Sequence, residues 1–224
     1  MTQESKSANS IVASLRRRLT DGTFAPGQRL QPDVLRADYG CSASALREAL
    51  FRLSCEGLVD FQEQRGFRAP KISADLQHEL TLMRILLEGE GASLSIRYGG
   101  FEWEARLTAV HHKLAHIENH LAKDSRQENA VHIWSIAELE FHQTLIEECQ
   151  SHTLIQTHSV IYHRFRQQLI NKDKEFTFVA ENVEQHKSIL EAALDRDEVA
   201  VRQRIADHLR RNLKQPQSAL YSVA

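Results

Sequence analysis

Residues 42–57, SASALREALFRLSCEG, constrain this chain more than any other stretch. Leu46, Ala49, Leu50 and Leu53 fall at i, i+3, i+4 and i+7, the buried stripe of an amphipathic helix. Ser44, Arg47, Glu48 and Phe51 repeat that spacing on another face. Ser42 is placed to cap the N-terminus, its hydroxyl accepting from a free backbone N–H. Gly57 offers the left-handed residue that stops the other end. The first turns therefore present small hydroxyls and an arginine from a helix held on its back by leucines. Those are the requirements for a helix entering a DNA major groove. A buried helix with one solvated face would look the same, so the flanking residues decide.

Upstream, residues 9–19 read as a helix with Ile11, Val12, Leu15 and Leu19 inward. Its outward Arg16, Arg17 and Arg18 are either a solvated face or phosphate contacts. Asp21-Gly22 ends it, and Pro26-Gly27 is a turn. Pro32 suits the first position of a second helix running through Val34, Leu35 and Tyr39 to Gly40. Two short helices joined tightly over residues 40–42 make a helix-turn-helix. Residues 58–70, LVDFQEQRGFRAP, then switch to two short alternating runs around Gln64-Arg65-Gly66. That is a β-hairpin in which Gly66 takes a positive φ. A helix-turn-helix followed by a hairpin is a winged helix, with Arg65 at the wing tip beside a glycine that lets backbone approach a phosphate. The candidate DNA contacts are Arg36, Ser42, Ser44, Arg47, Arg52, Arg65 and Gly66.

Beyond Lys71 the period is helical throughout, with helices expected near 74–98, 101–123, 127–149, 152–173, 177–195 and 197–214. Ser73, Ser151 and Asp197 serve as caps, and Gly99-Gly100 and residues 195–197 as turns. Such a series folds as an antiparallel helical bundle. The chemistry changes at the same place. Residues 1–70 carry ten Lys/Arg against eight Asp/Glu, the remainder eighteen against twenty-two, and all twelve histidines lie at or after His78. The expected fold is mostly α: a winged helix-turn-helix over 1–70, a linker over 71–75 and an all-α antiparallel bundle over 76–224. No apolar run approaches the roughly 18 residues of a membrane span, so no membrane partner is expected. The opening MTQESKSANS lacks the apolar core of a secretory leader. Cys41, Cys55 and Cys149 form no CxxC pair. A cytoplasmic protein is expected.

Residues 11–70 resemble the winged-helix domain of the GntR family of bacterial transcription regulators. The resemblance is carried by PGQRL (26–30), YGCSASALREALFRLSCEGLV (39–59) and RGF (65–67). The remainder resembles the FCD branch, through Arg84 with Glu88, ELEFH (138–142), EQHKSIL (184–190) and ADHL (206–209). The chain departs from the family at Ala43, where an arginine is usual, and at Ser44-Ala45, where Thr-Pro is usual. The missing arginine removes a frequent DNA contact, while Arg47 keeps the later one.

In the bundle, Glu138 and His142 share a helix face with Leu145. His186 lies on the stripe of Val183, Leu190 and Ala193, and His208 on that of Val201, Ile205 and Asn212. Taken singly, each reads as a hydrogen-bonded core residue, and spacing alone does not bring them together. The resemblance does, because these four positions match the FCD metal ligands, with Glu138 where the family has Asp. Imidazoles with a carboxylate suit a divalent metal, zinc or nickel. Arg84 shares a stripe with Leu80, Leu87 and Gly91, where a guanidinium needs an anion. That anion is either Glu88, one turn on, or the carboxylate of an effector. The resemblance implies the latter, since FCD relatives sense small organic or sugar acids this way. Tyr162, Arg164 and Arg166 are further candidates for the pocket wall. A rival ladder, His112, His116 and His120, is surrounded by Lys113, Glu118 and Asn119 and reads as a solvated face.

The expected function is a ligand-responsive, DNA-binding transcriptional regulator without enzymatic activity. It would be a repressor binding a palindromic double-stranded operator as a homodimer, with a bundle that dimerises and takes a small carboxylate effector. The alternatives are a metal-dependent hydrolase using the three histidines and Glu138, and a metal-free regulator like the fatty-acid-responsive member of the family.

Overall fold

The computed structural model describes residues 8–123, 130–169 and 181–214. These divide into two compact units, 8–73 with 163–169, and 74–162 with 181–214.

The first unit runs α1 (Ala8–Thr20), β1 (Arg29–Leu30), α2 (Pro32–Tyr39), α3 (Ala43–Cys55), β2 (Asp60–Gln62) and β3 (Gly66–Arg68). Its core collects Ile11, Val12, Leu15 and Leu19 from α1, Leu35 and Tyr39 from α2, and Leu46, Ala49, Leu50 and Leu53 from α3. Leu46, Leu50 and Leu53 have no exposed surface, and burying each contributes about 1.5–3 kcal/mol. The Ser42 hydroxyl caps α3 by accepting from Ala45 N. After α3, Gly57 takes φ +74°, and Leu58 N reaches back to Leu53 O. This left-handed closure turns the chain into the wing. The wing strands pair antiparallel, with Phe61 opposite Phe67. The structure adds a strand that the hydrophobic pattern did not announce. The two residues of β1 pair with β3, so the sheet order is β1-β3-β2. Two residues are too short to display a period. Bonds from Gly27 N to Ala69 O and from Ala69 N to Gln28 O anchor them.

The second unit holds α4 (Ala74–Tyr98), α5 (Phe101–Lys123), α6 (Ala130–Ile146), most of α7 (His152–Gln168), α8 (Glu181–Leu194) and α9 (Glu198–Arg210). Helix α4 packs on α6 and α9, α5 packs on α6 and α8, and α8 packs on α9. Trp103, Leu107, Leu114, Phe141, Leu145, Ile189, Val201 and Ile205 form the core between them. The turn from α4 to α5 requires glycine at Gly99, where a Cβ would sit 2.7 Å from Ser95 O and from the Trp103 ring. Asp197 caps α9 by accepting from Val199 N and Ala200 N. The Ser151 hydroxyl accepts from Leu154 N at the start of α7. Helices α6 and α9 stop a few residues before the expected 149 and 214. Residues 127–129, 170–173 and 177–180 of the expected helices lie outside the described residues. Among the described residues, no helix is long and apolar enough to cross a membrane.

Candidate functional site

The second unit brings three histidines from three helices to one point. His142 of α6, His186 of α8 and His208 of α9 are buried and offer ligand atoms all within 4.8 Å of one another. Ring centroids are 5.5 Å apart for His142–His186, 5.5 Å for His142–His208 and 4.6 Å for His186–His208. Each Nδ1 has an oxygen beside it: Glu88 Oε2 at 2.8 Å from His142, Glu118 Oε1 at 3.0 Å from His186, and Gln185 Oε1 at 3.0 Å from His208. Both ring nitrogens of His142 and of His186, the two Nε2 atoms included, are buried with no hydrogen-bond partner, so the Glu88 and Glu118 oxygens stand at ion-pair distance without hydrogen-bond alignment. A buried ring nitrogen left unmatched costs free energy. Two such atoms within reach of a third imidazole fit a metal ion, for which nitrogen donors are suited.

Beside this cluster lies a buried charged network. Arg84 of α4 has no exposed surface, and its Nε donates to Glu88 Oε1 at 2.7 Å. Its Nη1 is 3.8 Å from Glu138 Oε1, and its guanidinium carbon is 4.9 Å from the centroid of the Tyr162 ring. The Tyr162 hydroxyl lies 2.8 Å from Glu138 Oε2 and 3.1 Å from Ser135 O, its single proton shared between the two acceptors. His158 of α7 places Nε2 3.0 Å from Glu88 Oε1. Gly91 sits one turn beyond Glu88, and a Cβ there would meet Ile146 Cβ at 2.8 Å, so glycine lets α4 lie close to its neighbours. Both readings of the anion beside Arg84 bear on this geometry, since Glu88 already pairs with it. Glu138 shares the buried face with His142 but is not one of the three clustered groups, because its oxygens face Tyr162 and Arg84.

Burial alone would push the Glu88 carboxyl up, but Arg84 and then His142 outweigh it and hold the group well below the usual carboxylate range. Burial is the largest influence on His208, and His186 and His142 add to it, so its pKa falls well below the usual value. Burial also lowers His142, against the pull of Glu88. Both imidazoles are therefore neutral at pH 7, the protonation state that binds metal.

In the first unit, Arg36, Ser42, Ser44, Arg47, Arg52 and Arg65 are all exposed. Gly66 takes φ +76° with open space around its Cα, leaving the wing backbone accessible. The Arg47 guanidinium has no ion pair or hydrogen bond among the described residues. Arg52 donates to Asn9 at 3.2 Å and Arg65 to Gln62 at 3.5 Å, weak contacts that a phosphate could replace. The arginine run on α1 is spent differently. Arg16 pairs with Glu56, and Arg18 pairs with Asp38 while its guanidinium lies over Phe24.

Several sequence expectations change here. Arg164 and Arg166 belong to the first unit, where the Arg164 guanidinium lies against Gly57. His112, His116 and His120 are exposed. Glu118, read from sequence as part of that solvated surroundings, is fully buried between His186 and Trp134. A signal was present, since Glu118 falls four residues after Leu114 and three before Leu121, on the inward stripe of α5. His158 was also missed. It stands four residues before Tyr162 on one face of α7.

Comparison with known proteins gives consistent matches over both units. The family model described as "Bacterial regulatory proteins, gntR family" matches residues 7–68, and that described as "FCD domain" matches residues 79–211. The chain is 33% identical over 190 residues to the "Uncharacterized HTH-type transcriptional regulator BphR" of Paraburkholderia xenovorans (strain LB400), covering 82% of this chain and 74% of that one. It is 29% identical over 196 residues to the "HTH-type transcriptional repressor GlaR" of Escherichia coli (strain K12), covering 84% and 86%. Among solved structures, E. coli McbR/YncC matches with a TM-score of 0.76 at 19% identity, over 92% of this chain and 94% of that one. A putative GntR regulator from Rhodococcus sp. RHA1 matches with a TM-score of 0.71 at 21% identity, over 91% and 94%. The two structures share the fold.

Proposed function

The chain belongs to the GntR family of bacterial regulatory proteins and carries an FCD domain, and from that premise we propose that it is a metal-containing sensor of small organic acids. It is a DNA-binding transcriptional regulator and not an enzyme, as its family and relatives are. In our reading it is a cytoplasmic homodimer that sets two winged helices on a palindromic operator about one helical turn apart. We take the repressing sign from the name of the GlaR relative, a repressor, while the Glc operon relative of Escherichia coli is named an activator.

The observation that carries the metal is the buried trio of His142, His186 and His208, with the Nε2 atoms of His142 and His186 unmatched. Glu138, one turn before His142, is the carboxylate we assign to complete the set, drawn from its present partners Tyr162 and Arg84. The ion, zinc or nickel, would supply a fixed positive charge with open positions for an effector carboxylate. Arg84 would hold that carboxylate by charge-assisted hydrogen bonds. The effector would act by its differential affinity for two arrangements of the regulator.

Native mass spectrometry of the full chain as purified, with elemental analysis, tests this reading. One divalent ion per chain and a doubled chain mass are expected. A folded dimer that carries no ion and still answers a carboxylate would replace it with the metal-free reading. Stoichiometric metal in a His142→Ala/His186→Ala variant would overturn the ligand assignment.

A further inference from the structure

Glu118 is a fully buried acid that neither the DNA-binding face nor the ligand set above uses. We propose that Glu118 is the positioning residue of the histidine cluster: it accepts the Nδ1 proton of His186, turning the Nε2 lone pair toward His142 and His208, and its negative charge compensates the bound ion. This rests on the metal reading given above.

Position and donor–acceptor chemistry carry the first half. Glu118 Oε1 lies 3.0 Å from His186 Nδ1 and accepts from Trp134 Nε1 at 3.1 Å. An indole N–H only donates and a carboxylate only accepts. The two groups stand at ion-pair distance without hydrogen-bond alignment in this structure, and the imidazole nitrogen can engage the carboxylate only as a donor, which puts the proton on Nδ1 and leaves Nε2 free. The other two rings repeat the pattern. His142 Nδ1 lies 2.8 Å from Glu88 Oε2, on a carboxyl that pairs with Arg84 through its other oxygen. His208 Nδ1 faces Gln185 Oε1, which also accepts from Arg211 Nη1 at 3.3 Å, and arginine only donates. Three oxygens, from α4, α5 and α8, thus stand beside the three Nδ1 atoms, with hydrogen-bond geometry at His208. Engaged in this way, all three rings would present their Nε2 lone pairs. Outer partners of this kind fix tautomer and ring orientation in metal centres.

Charge carries the second half. Glu88 has Arg84 at 2.7 Å, but Glu118 makes no ion pair with a Lys or Arg among the described residues. Its Oε2 is buried without a hydrogen bond. An isolated buried carboxylate is costly unless a cation faces it. An ion held by His186 would be such a cation, coupled to Glu118 through the imidazole.

Full-length wild type, Glu118→Gln, Glu118→Leu and Trp134→Phe would be compared by competition with a chromophoric chelator, using zinc as the probe. Glu118→Gln keeps the shape and should bind zinc about 10–100-fold more weakly. Glu118→Leu should be weaker still, and Trp134→Phe, which keeps the carboxylate, should match wild type. ¹⁵N-histidine spectra of metal-free wild type should report His186 protonated on Nδ1, a readout that needs no variant to fold. An Nε2-protonated His186, or zinc affinity unchanged in a folded Glu118→Gln, would overturn the proposal while leaving the metal reading intact. Wild type that binds no zinc would instead remove the metal reading, and with it the compensating role given to Glu118.

Discussion

Arg84→Met probes the buried network most directly. The methionine fills much of the arginine stem's volume and removes its charge. Glu88 would lose the donor at 2.7 Å and Glu138 the charge at 3.8 Å, both inside a region with almost no exposed surface. Removing one partner of a buried ion pair costs about 3–5 kcal/mol, because the survivor is left uncompensated. Glu88 keeps His142 at 2.8 Å and His158 at 3.0 Å, so it is not left without partners. The lower end, about 3 kcal/mol, is therefore expected. That is a large share of the roughly 5–15 kcal/mol by which a domain is stable. It corresponds to a melting shift of about 6–12 °C at roughly 2–4 °C per kcal/mol. Chemical unfolding of chelator-treated protein at pH 7 would read it. The Arg84→Met/Glu88→Leu variant supplies the control, since an apolar pair replacing a buried ion pair is often neutral. The double variant should lose clearly less than the sum of the singles. A single-variant loss under about 1 kcal/mol, or strict additivity, would show that the pair is solvated or otherwise compensated.

On the DNA side, Arg47→Ala should weaken operator binding by about 1–3 kcal/mol if Arg47 reads a guanine edge, and Arg65→Ala should weaken all sequences alike. Gel shifts at fixed salt on operator and random duplexes check both, and unchanged operator affinity in Arg47→Ala would remove α3 as the reading helix. Chelation should lower the melting temperature, since an ion held only by the folded state at a hundred times its Kd stabilises by about 2.7 kcal/mol. Scanning calorimetry with and without chelator measures it, and coincident curves would argue against an ion in the bundle.

How much of this was legible in sequence depends on where the information resides. The ends of α4 and α5 follow from local chemistry, because Gly99 is required where a side chain would strike Ser95 O. The inward faces of His142, His186 and His208 follow from helical period, since each sits on an apolar stripe. Their convergence does not, because it depends on how α6, α8 and α9 pack, which no spacing within one helix encodes. Family resemblance supplied that step for the histidines. For Glu138 the side chain's extra reach leaves its partner to Tyr162 and Arg84, which arrive from other helices. Glu118 was lost differently. Its sequence neighbour Asn119 and the nearby Lys113 are exposed, and proximity in sequence outweighed the period that puts it under Leu114.

On the proposed reading, the buried charges also order the events of sensing. Around Arg84 stand the carboxylates Glu88 and Glu138, Glu118 adds a third negative group near His186, and Arg211 beside Gln185 adds a second guanidinium, so three carboxylates face two cations. With His142 and His208 neutral, an effector carboxylate entering the metal-free pocket meets a site that is already net negative. Like charge in a low-dielectric interior is strongly unfavourable. A bound divalent cation turns the balance positive by one and makes room for one more anion. Metal occupancy should therefore be a condition of effector binding, and by linkage the effector should tighten the metal by the same factor. Calorimetric titration of a panel of hydroxy- and dicarboxylates into zinc-loaded and chelator-treated protein measures the coupling. Heat of binding is expected for the loaded form alone. A carboxylate binding both forms with equal affinity would place the effector away from Arg84 and the histidine cluster.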